Sequence, residues 1–169
     1  GEENFKFFLS KLGILEKINF DIEEVGKPIK FNWGKCPLVT ASYGHGITTT
    51  LLQLVKAYSI ITNGGFDIKP SLIKNNNKNK KEKVLNDGVS TKILPILRKV
   101  VTDGTASLAN VDGYEIGGKT GTAEKSSLGI YSKNKKINTF VSVFPTSKPK
   151  FVLAIMLDEP EINEDYIYE

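Results

Sequence analysis

Long hydrophobic runs and cysteine are both scarce in this sequence, and each shortage excludes a class of protein. No apolar stretch approaches the roughly 18 residues of a membrane-spanning helix, and no signal peptide opens the chain. The single cysteine, Cys36, allows neither an internal disulfide nor the paired spacing of a metal site. The sequence therefore predicts no bound metal and no cofactor.

The composition fits an ordinary folded unit. Apolar residues make up 40% and charged residues 25%, which is typical of globular proteins rather than disordered ones. A length of 169 residues suits one domain, so residues 1–169 are predicted to form a single unit. Because the chain begins with glycine, we expect it to be a piece of a longer protein, with any membrane anchor or export signal upstream.

The net charge of +4 comes largely from one segment, Lys74–Lys83, with the sequence KNNNKNKKEK. The segment has no aromatic residue beside its lysines and no apolar periodicity. Binding of single-stranded nucleic acid combines cations with stacking aromatics. We therefore predict a solvated loop at residues 74–83 and no nucleic-acid partner.

Within the first 65 residues, two segments carry helix signals and one segment lacks them. Asn4–Ile18 places an apolar side chain at helical spacing, which predicts a first helix, whereas Asn19–Ala41 has no sustained period and is predicted to be extended. The clearest helix lies within Thr48–Gly65, with a threonine to cap its start and Asn-Gly-Gly to end it. The apolar positions of the two predicted helices are Phe5, Phe8, Leu9, Leu12 and Leu15, then Leu51, Leu54, Val55, Tyr58 and Ile61.

A further helix is predicted after the polar loop. Ser90 can cap it, and Gly104 would end it. Pro95 lies too far into the helix for a first-turn proline, so the helix should either kink or begin later than Ser90. Its apolar positions are Ile93, Leu97, Val100 and Val101.

The last third of the chain has the signals of strands. Candidates are Tyr114–Thr122, Thr139–Phe144 and Phe151–Leu157, and the short turn between the last two predicts an antiparallel hairpin. Together the elements predict an α+β fold in which an antiparallel sheet of at least three strands, at the C-terminal end, is packed with helices.

The stretch DGYEIGGKTGTAEK permits two interpretations. Gly113–Thr120 fits the phosphate-loop pattern G-x-x-x-x-G-K-[ST], and Asp158 ends an apolar strand as a magnesium-binding aspartate would. A phosphate loop needs a buried strand before it and a helix after it. The preceding residues are short and polar, and no apolar helical period follows Thr120, so the nucleotide-binding interpretation is the weaker one.

The second interpretation takes Lys119–Gly121 as K-T-G, a motif of serine acyl-transferring enzymes. On a strand, Lys119 and Gly121 share one face, so the missing side chain leaves a ligand room beside the ammonium. Thr120 and Thr122 point to the other face. A peptide lying along the strand edge would meet both sets.

The match extends beyond this tripeptide. The blocks Tyr43–Gly65, Val100–Ala106, Asp112–Lys125 and Phe140–Pro160 resemble, in order, the transpeptidase domain of class B penicillin-binding proteins, and among them the division-specific peptidoglycan D,D-transpeptidases. The resemblance implies a penicillin-binding, beta-lactamase-like transpeptidase fold. It also implies a serine acyl-enzyme that cross-links peptidoglycan stem peptides and is inhibited by beta-lactams.

The same resemblance implies roles for the motif. Lys119 would supply electrostatic stabilisation and assist proton movement at the nucleophile, and Thr120 and Thr122 would hold the substrate carboxylate. The backbone N–H of Thr122 would be an oxyanion donor, and Gly121 would keep the strand accessible. The implied setting is the periplasmic face of the bacterial inner membrane, with divisome proteins as partners and attachment through an upstream anchor.

The sequence departs from the family in lacking a nucleophile. The letters S-x-x-K occur at Ser71, Ser132 and Ser147, but Ser71 leads into the polar loop, and the other two follow K-T-G instead of preceding it. The S-K-N at Ser132 fails as the second motif for the same reason. We expect a C-terminal half of a transpeptidase domain that is inactive without the N-terminal part of the same protein. A non-catalytic binding or scaffold module with this fold is the alternative.

Other conspicuous residues have simpler roles. His45, between two glycines, is predicted to have a loop or packing role. Asp158 and Glu159 are predicted to cap a strand or to make a surface contact. Glu124 and Lys125 are predicted to be solvated charges. The aromatic residues Phe5, Phe7, Phe8 and Trp33 are predicted to pack in a core or against another domain.

Overall fold

A computed structural model describes residues 1–74, 82–127 and 130–161 of the chain, and the side chains of 126–134 are not described. The predicted α+β class is confirmed. Four α-helices precede a three-stranded antiparallel sheet, and the predicted loop at 74–83 lies mostly outside the described residues. The elements are α1 (Glu2–Lys11), α2 (Lys35–Ala41), α3 (Leu51–Thr62), α4 (Val89–Thr102), a 3-10 helix (Ser107–Ala109), β1 (Gly117–Ser127), β2 (Ile130–Phe144) and β3 (Phe151–Asp158).

Helix α1 is shorter than predicted. It ends at Lys11 because Gly13 adopts a φ of +75°, a left-handed conformation that stops an α-helix. Of the predicted apolar face, Leu9 and Leu12 are buried, whereas Phe8 is 43% exposed. The prediction that the helix runs to residue 18 is therefore wrong.

Helix α2 corrects the prediction of an extended segment up to Ala41. It has seven residues and begins after Gly34. Pro37 lies in its first turn, where the missing N–H of proline costs no hydrogen bond. Two turns are too short to show a sustained apolar period, which is why the sequence pattern missed this helix.

Helix α3 forms as predicted, with Thr50 as its cap. The Thr50 hydroxyl accepts from the Gln53 N–H at 3.2 Å, and the Gln53 side chain accepts from the Thr50 N–H at 2.8 Å, which is a capping box. After the helix, Gly64 and Gly65 adopt φ angles of +95° and +86°. Both ends of the helix thus follow from the local sequence.

Gln53 has a second task that the sequence did not indicate. It is 1% exposed, and its Nε2 faces the carbonyl oxygens of Gly13, Ile14 and Glu16 at 3.2, 2.7 and 2.9 Å. These carbonyls belong to the segment that follows α1. One buried amide therefore ties the chain after α1 to the start of α3.

Helix α4 begins at Val89 and contains Pro95, so of the two predicted alternatives, a kink or a start later than Ser90, the later start is wrong. Pro95 is exposed on the helix surface, where the carbonyl it leaves unpaired can bind water. Ser90 does not cap its own helix. Its hydroxyl donates to the Ile61 carbonyl at 2.5 Å and accepts from the Gly64 N–H at 2.8 Å, which joins α4 to the end of α3.

The sheet has the order β1-β2-β3, with β2 in the centre. The predicted antiparallel hairpin of the last two strands is confirmed, since Val143 lies opposite Val152. Val141 and Val143 are 4% and 0% exposed, and α3 and α4 pack on the sheet. No helix within the described residues is both long and apolar enough to cross a membrane.

Strands β1 and β2 form a longer hairpin than predicted. β1 starts three residues after Tyr114 and continues to Ser127, while β2 begins nine residues before Thr139. Their outer halves pair across a register shift between Glu124 and Lys125. Because these halves are polar, backbone pairing rather than hydrophobic alternation makes them strands, and the sequence pattern did not show it.

The start of β1 is fixed from two sides. The Arg98 guanidinium on α4 donates to the Ile116 carbonyl at 2.7 Å and to the Asn110 side chain at 3.0 Å. On the other side, Glu115 accepts from the Thr146 N–H through its carbonyl at 2.8 Å. The β1 strand is therefore clamped between α4 and the turn that joins β2 to β3.

Two details complete this clamp. The hydroxyl and then the N–H of Ser147 hydrogen-bond to the Glu115 carboxylate and lower its pKa below the usual value. A Cβ on Gly117 would lie 2.6 Å from the Thr146 methyl carbon and 3.0 Å from the Arg98 backbone nitrogen. Only glycine fits where β1 passes between helix and turn.

Replacing Gln53 should lower the stability of the fold. Gln53→Met keeps the length of the side chain but leaves several buried backbone groups without their hydrogen-bond partner. We expect a loss of about 1–3 kcal/mol in the free energy of unfolding in urea. Gln53→Glu should lose more, because an oxygen would face the three carbonyls. The exposed neighbour Thr49→Ser is the control, and a Met variant as stable as wild type would contradict the assignment.

Gly117→Ala should destabilise the chain through overpacking. The added methyl meets backbone as well as side-chain atoms, so we expect a loss of about 1–3 kcal/mol in urea unfolding. Gly34→Ala is the matched control, because its Cβ would meet only Pro37 at 3.7 Å. An equal loss in both variants would show that the tight contact at Gly117 has no consequence.

The contribution of Glu115 should depend on pH. Because its pKa is lowered in the folded chain, its stabilisation is present above the usual glutamate pKa and is lost as the pH falls through the lowered value. The difference in urea midpoint between wild type and Glu115→Gln should therefore shrink from pH 7 to pH 3. A difference that stays constant over this range would refute the assignment.

Candidate functional site

The four motif residues lie on β1, at one edge of the sheet. Lys119 is opposite Val141 and Gly121 opposite Thr139, whereas Thr120 and Thr122 are opposite Phe140 and Asn138 of β2. The strand expected for K-T-G is thus present. No helix follows Thr120 as a phosphate loop would require, because β1 continues to Ser127.

Carbonyl partners show which residues face the open edge. The Gly121 carbonyl accepts from the Thr139 hydroxyl at 3.3 Å, so it faces β2. The Thr120 carbonyl accepts from the Lys119 ammonium at 2.8 Å. Since backbone groups of successive residues point to opposite edges of a strand, Thr120 and Thr122 present their backbone groups to the side without a partner strand among the described residues.

Lys119 is exposed, and its only hydrogen-bond partner in the described part of the chain is this carbonyl oxygen. None of the ion pairs among the described residues includes Lys119. Its positive charge therefore has no carboxylate partner in the part of the chain that the structure describes. An anionic ligand at the open edge of β1 would make a stronger, charge-assisted hydrogen bond than the carbonyl does.

Gly121 has a structural reason as well as the predicted functional one. A Cβ at this position would lie 2.7 Å from the Thr139 hydroxyl oxygen. Gly118 is also constrained, because a Cβ there would lie 2.8 Å from the Phe140 ring. The glycines of this strand let side chains of β2 pack closely, and they leave no side chain of β1 directly beside Lys119.

A fifth residue belongs to the site, and sequence reasoning missed it. Thr105, in the turn after α4, has its hydroxyl 2.9 Å from the Thr120 hydroxyl. Its segment was singled out only as a block of family resemblance. No signal in the sequence could have found the contact, because it depends on how the turn after α4 meets β1.

The serines of the S-x-x-K matches lie away from this geometry. The Ser71 hydroxyl donates to the Asp21 carboxylate at 2.7 Å and lies 2.9 Å from the Ile73 carbonyl oxygen. The Ser71 hydroxyl and then the Leu72 N–H lower the pKa of Asp21. Ser147 lies in the turn after β2, and Ser132 lies on β2 opposite Lys125, with its side chain among those not described.

The acidic pair at the end of β3 makes ion pairs. Lys125 lies 2.7 Å from Glu159 and 2.9 Å from Asp158, and Lys135 lies 3.3 Å from Glu159. Glu159 and then Asp158 raise the pKa of Lys125, and Lys125 and then Lys135 lower that of Glu159. The predicted surface role of the two acids fits these contacts. The prediction that Lys125 is merely solvated is wrong, because it pairs across the sheet.

Two other predicted residues take part in local packing. His45 lies in the turn after α2, with its backbone N–H on the Thr40 carbonyl at 3.0 Å and its ring 6.3 Å from the Tyr43 ring. Trp33 contacts the rings of Phe5 and Phe31 edge-on at 6.3 and 4.7 Å. Both placements agree with the structural roles expected from the sequence.

Comparison with known proteins gives a family for this geometry. Residues 1–168 match the model of the penicillin-binding protein transpeptidase domain. A relative from Neisseria flavescens, named "Probable peptidoglycan D,D-transpeptidase PenA", is 34% identical over 135 residues, covering 79% of this chain and 34% of the relative. A relative from Caulobacter vibrioides, named "Probable peptidoglycan D,D-transpeptidase FtsI", is 28% identical over 176 residues, covering 96% and 30%.

Solved structures share the fold. The transpeptidase domain of penicillin-binding protein 3 from Burkholderia pseudomallei has a TM-score of 0.87 at 28% identity, covering 94% of this chain and 50% of that one. Penicillin-binding protein 3 of Mycobacterium tuberculosis, complexed with ampicillin, has a TM-score of 0.85 at 25% identity, covering 94% and 40%. The chain spans about a third of the length of the curated relatives it matches. With its sequence and its fold both matched over nearly all of its length, the chain belongs to the transpeptidase domain family of the class B penicillin-binding proteins.

Proposed function

We propose that this chain is the K-T-G-bearing part of a serine-type peptidoglycan D,D-transpeptidase. One observation carries the proposal: the exposed ammonium of Lys119, on the edge strand β1, has no carboxylate partner among the described residues. The site therefore suits an anionic peptide end. The C-terminal carboxylate of a D-Ala-D-Ala stem peptide has that chemistry, and so does the carboxylate of a penicillin.

The substrate lies along the open edge of β1 as an added strand. Its backbone pairs with the backbone groups of Thr120 and Thr122, which face that edge. The hydroxyls of the same two threonines and the Lys119 ammonium hold its carboxylate. Gly121 lets the peptide approach, since the position beside Lys119 carries no side chain.

The chemistry needs a serine that this chain does not supply. In the acylation step, the oxygen of that serine bonds to the penultimate D-Ala carbonyl carbon, the peptide bond breaks, and the proton goes to the amine of the departing D-Ala. The Thr122 N–H stabilises the negative oxygen of the intermediate, a contribution worth roughly 3–4 kcal/mol of barrier. An amine of a second stem peptide then takes the acyl group and restores the serine.

Support for a missing half comes from the exposed apolar face of the sheet. Four large side chains on one face of β3 are between 46% and 59% exposed: Phe151, Leu153, Ile155 and Leu157. In a larger protein, such a pattern marks a contact surface. We propose that the N-terminal half of the domain contributes the nucleophile, and that the upstream protein anchors the site at the periplasmic face of the inner membrane. We also propose a role in cell division, as the resemblance to the division-specific D,D-transpeptidases implies.

Penicillin labelling tests the proposal. The isolated chain should show no mass increase after incubation with penicillin G, whereas the protein extended upstream through S-x-x-K should gain the mass of one penicillin on that serine. In the extended protein, Lys119→Met should lower the acylation rate at least about 100-fold, a loss of the order seen when one oxyanion donor is removed. Lys119→Arg should retain more activity than Met, because it keeps the charge.

The control for Lys119→Met is Lys136→Met, an exposed lysine of β2 opposite Glu124, which should label at the wild-type rate. Equal loss in both lysine variants would contradict a specific role for Lys119. A stable adduct on Ser71 of the isolated chain would refute the missing nucleophile. A folded extended protein that never labels would favour the alternative, a scaffold module that keeps the fold without the chemistry.

A further inference from the structure

The contact between Thr105 and Thr120 places a hydroxyl from outside the K-T-G strand in the site. The two hydroxyl oxygens are 2.9 Å apart, a normal hydrogen-bond distance, and Thr105 approaches from the turn after α4. Thr105 is exposed and Thr120 is half-buried. The contact is thus within reach of a ligand that lies along β1.

Counting protons gives this contact a direction. A threonine hydroxyl has one proton to donate and two lone pairs to accept with. If Thr120 is to donate its proton to a carboxylate, it cannot also donate to Thr105. Thr105 must therefore be the donor of the pair, and the Thr120 oxygen accepts this hydrogen bond with one of its lone pairs.

The turn that carries Thr105 is tightly held. The Ala106 N–H donates to the Val100 carbonyl at 3.1 Å, and the Ser107 N–H donates to the Gly104 carbonyl at 3.2 Å. A Cβ on Gly104 would lie 2.9 Å from the Val100 carbonyl oxygen, so the turn folds back on α4 only with glycine there. Ala106 is 5% exposed, which anchors the residue next to Thr105 in the core.

We propose that Thr105 is a positioning residue: its hydroxyl donates to Thr120 and thereby turns the Thr120 proton toward the substrate carboxylate. The proposal rests on the proposed function for its substrate. It means that β1 alone does not complete the carboxylate site. The turn after α4 is also needed, because it sets the direction in which the Thr120 hydroxyl donates. A chain of two hydroxyls also polarises the second O–H, which strengthens its bond to the anion.

The first test concerns the chain as it stands and needs no activity. Three-bond NMR couplings of the Thr120 methyl carbon report its χ1 rotamer. We expect one rotamer in wild type and in Thr105→Ser, and averaged couplings in Thr105→Val, which keeps the shape but lacks the hydroxyl. A single unchanged rotamer in Thr105→Val would overturn the proposal whatever the enzyme does.

The second test uses acylation by penicillin G in the protein extended upstream through S-x-x-K. Thr105→Val should slow acylation about three- to tenfold, the worth of one neutral hydrogen bond, and Thr105→Ser should restore it. The loss should be smaller with the methyl ester of penicillin G, because no anion is left to orient. It should also disappear in the background Thr120→Val, where there is no hydroxyl to position.

The matched control is Thr102→Val, since the one hydrogen bond of the Thr102 hydroxyl among the described residues goes to the Arg98 carbonyl within α4, at 3.4 Å. It should acylate within twofold of wild type. A Thr105→Val loss that is equal for acid and ester, or that adds fully to Thr120→Val, would overturn the proposal. If wild-type protein fails to label at all, the proposed function fails, while the rotamer measurement still decides the role of Thr105.

Discussion

The position of the K-T-G strand depends on the clamp at its first residues. An edge strand is hydrogen-bonded on one side only, so its other constraints have to come from its ends and from its faces. Here the Arg98 guanidinium holds the Ile116 carbonyl, and the bare α-carbon of Gly117 passes between α4 and the Thr146 methyl group. Lys119 follows two residues later. Its place at the open edge is therefore set by α4 as much as by β2.

The charged side chains on and beside β1 differ in the partners that they contact. At the outer end, Lys125 is satisfied by Asp158 and Glu159, which raise its pKa. At the inner end, the Glu115 carboxylate is occupied by Ser147. These anions are engaged elsewhere, and among the described residues the Lys119 ammonium, between the two ends, has only a carbonyl oxygen as partner. Of the two lysines, Lys125 thus joins strands, whereas Lys119 suits the carboxylate ligand of the proposed function.

The sequence predicted what local chemistry determines. The cap of α3 at Thr50, the apolar strand β3 and the edge-strand character of K-T-G all follow from residue types at fixed spacing. Three features did not, because each depends on distant parts of the chain. The polar half of β2 is a strand through pairing with β1, Gln53 binds carbonyls about 40 positions away, and Thr105 reaches Thr120 through the turn after α4.

The parts of the candidate site differ in how firmly they are held, and that difference supports the roles proposed for them. Thr120 and Thr122 lie between residues whose backbone groups face β2, which holds the backbone of the two threonines in place, and the Thr120 hydroxyl contacts that of Thr105. These groups are therefore already oriented before a ligand arrives. Electrostatic catalysis depends on such prior orientation. The Lys119 ammonium instead rests on a carbonyl of the next residue and is exposed, so it can turn to an anion at small cost. In the proposed transpeptidase, the strand and the hydroxyls therefore set the geometry of the bound peptide end, and the Lys119 ammonium turns toward its carboxylate.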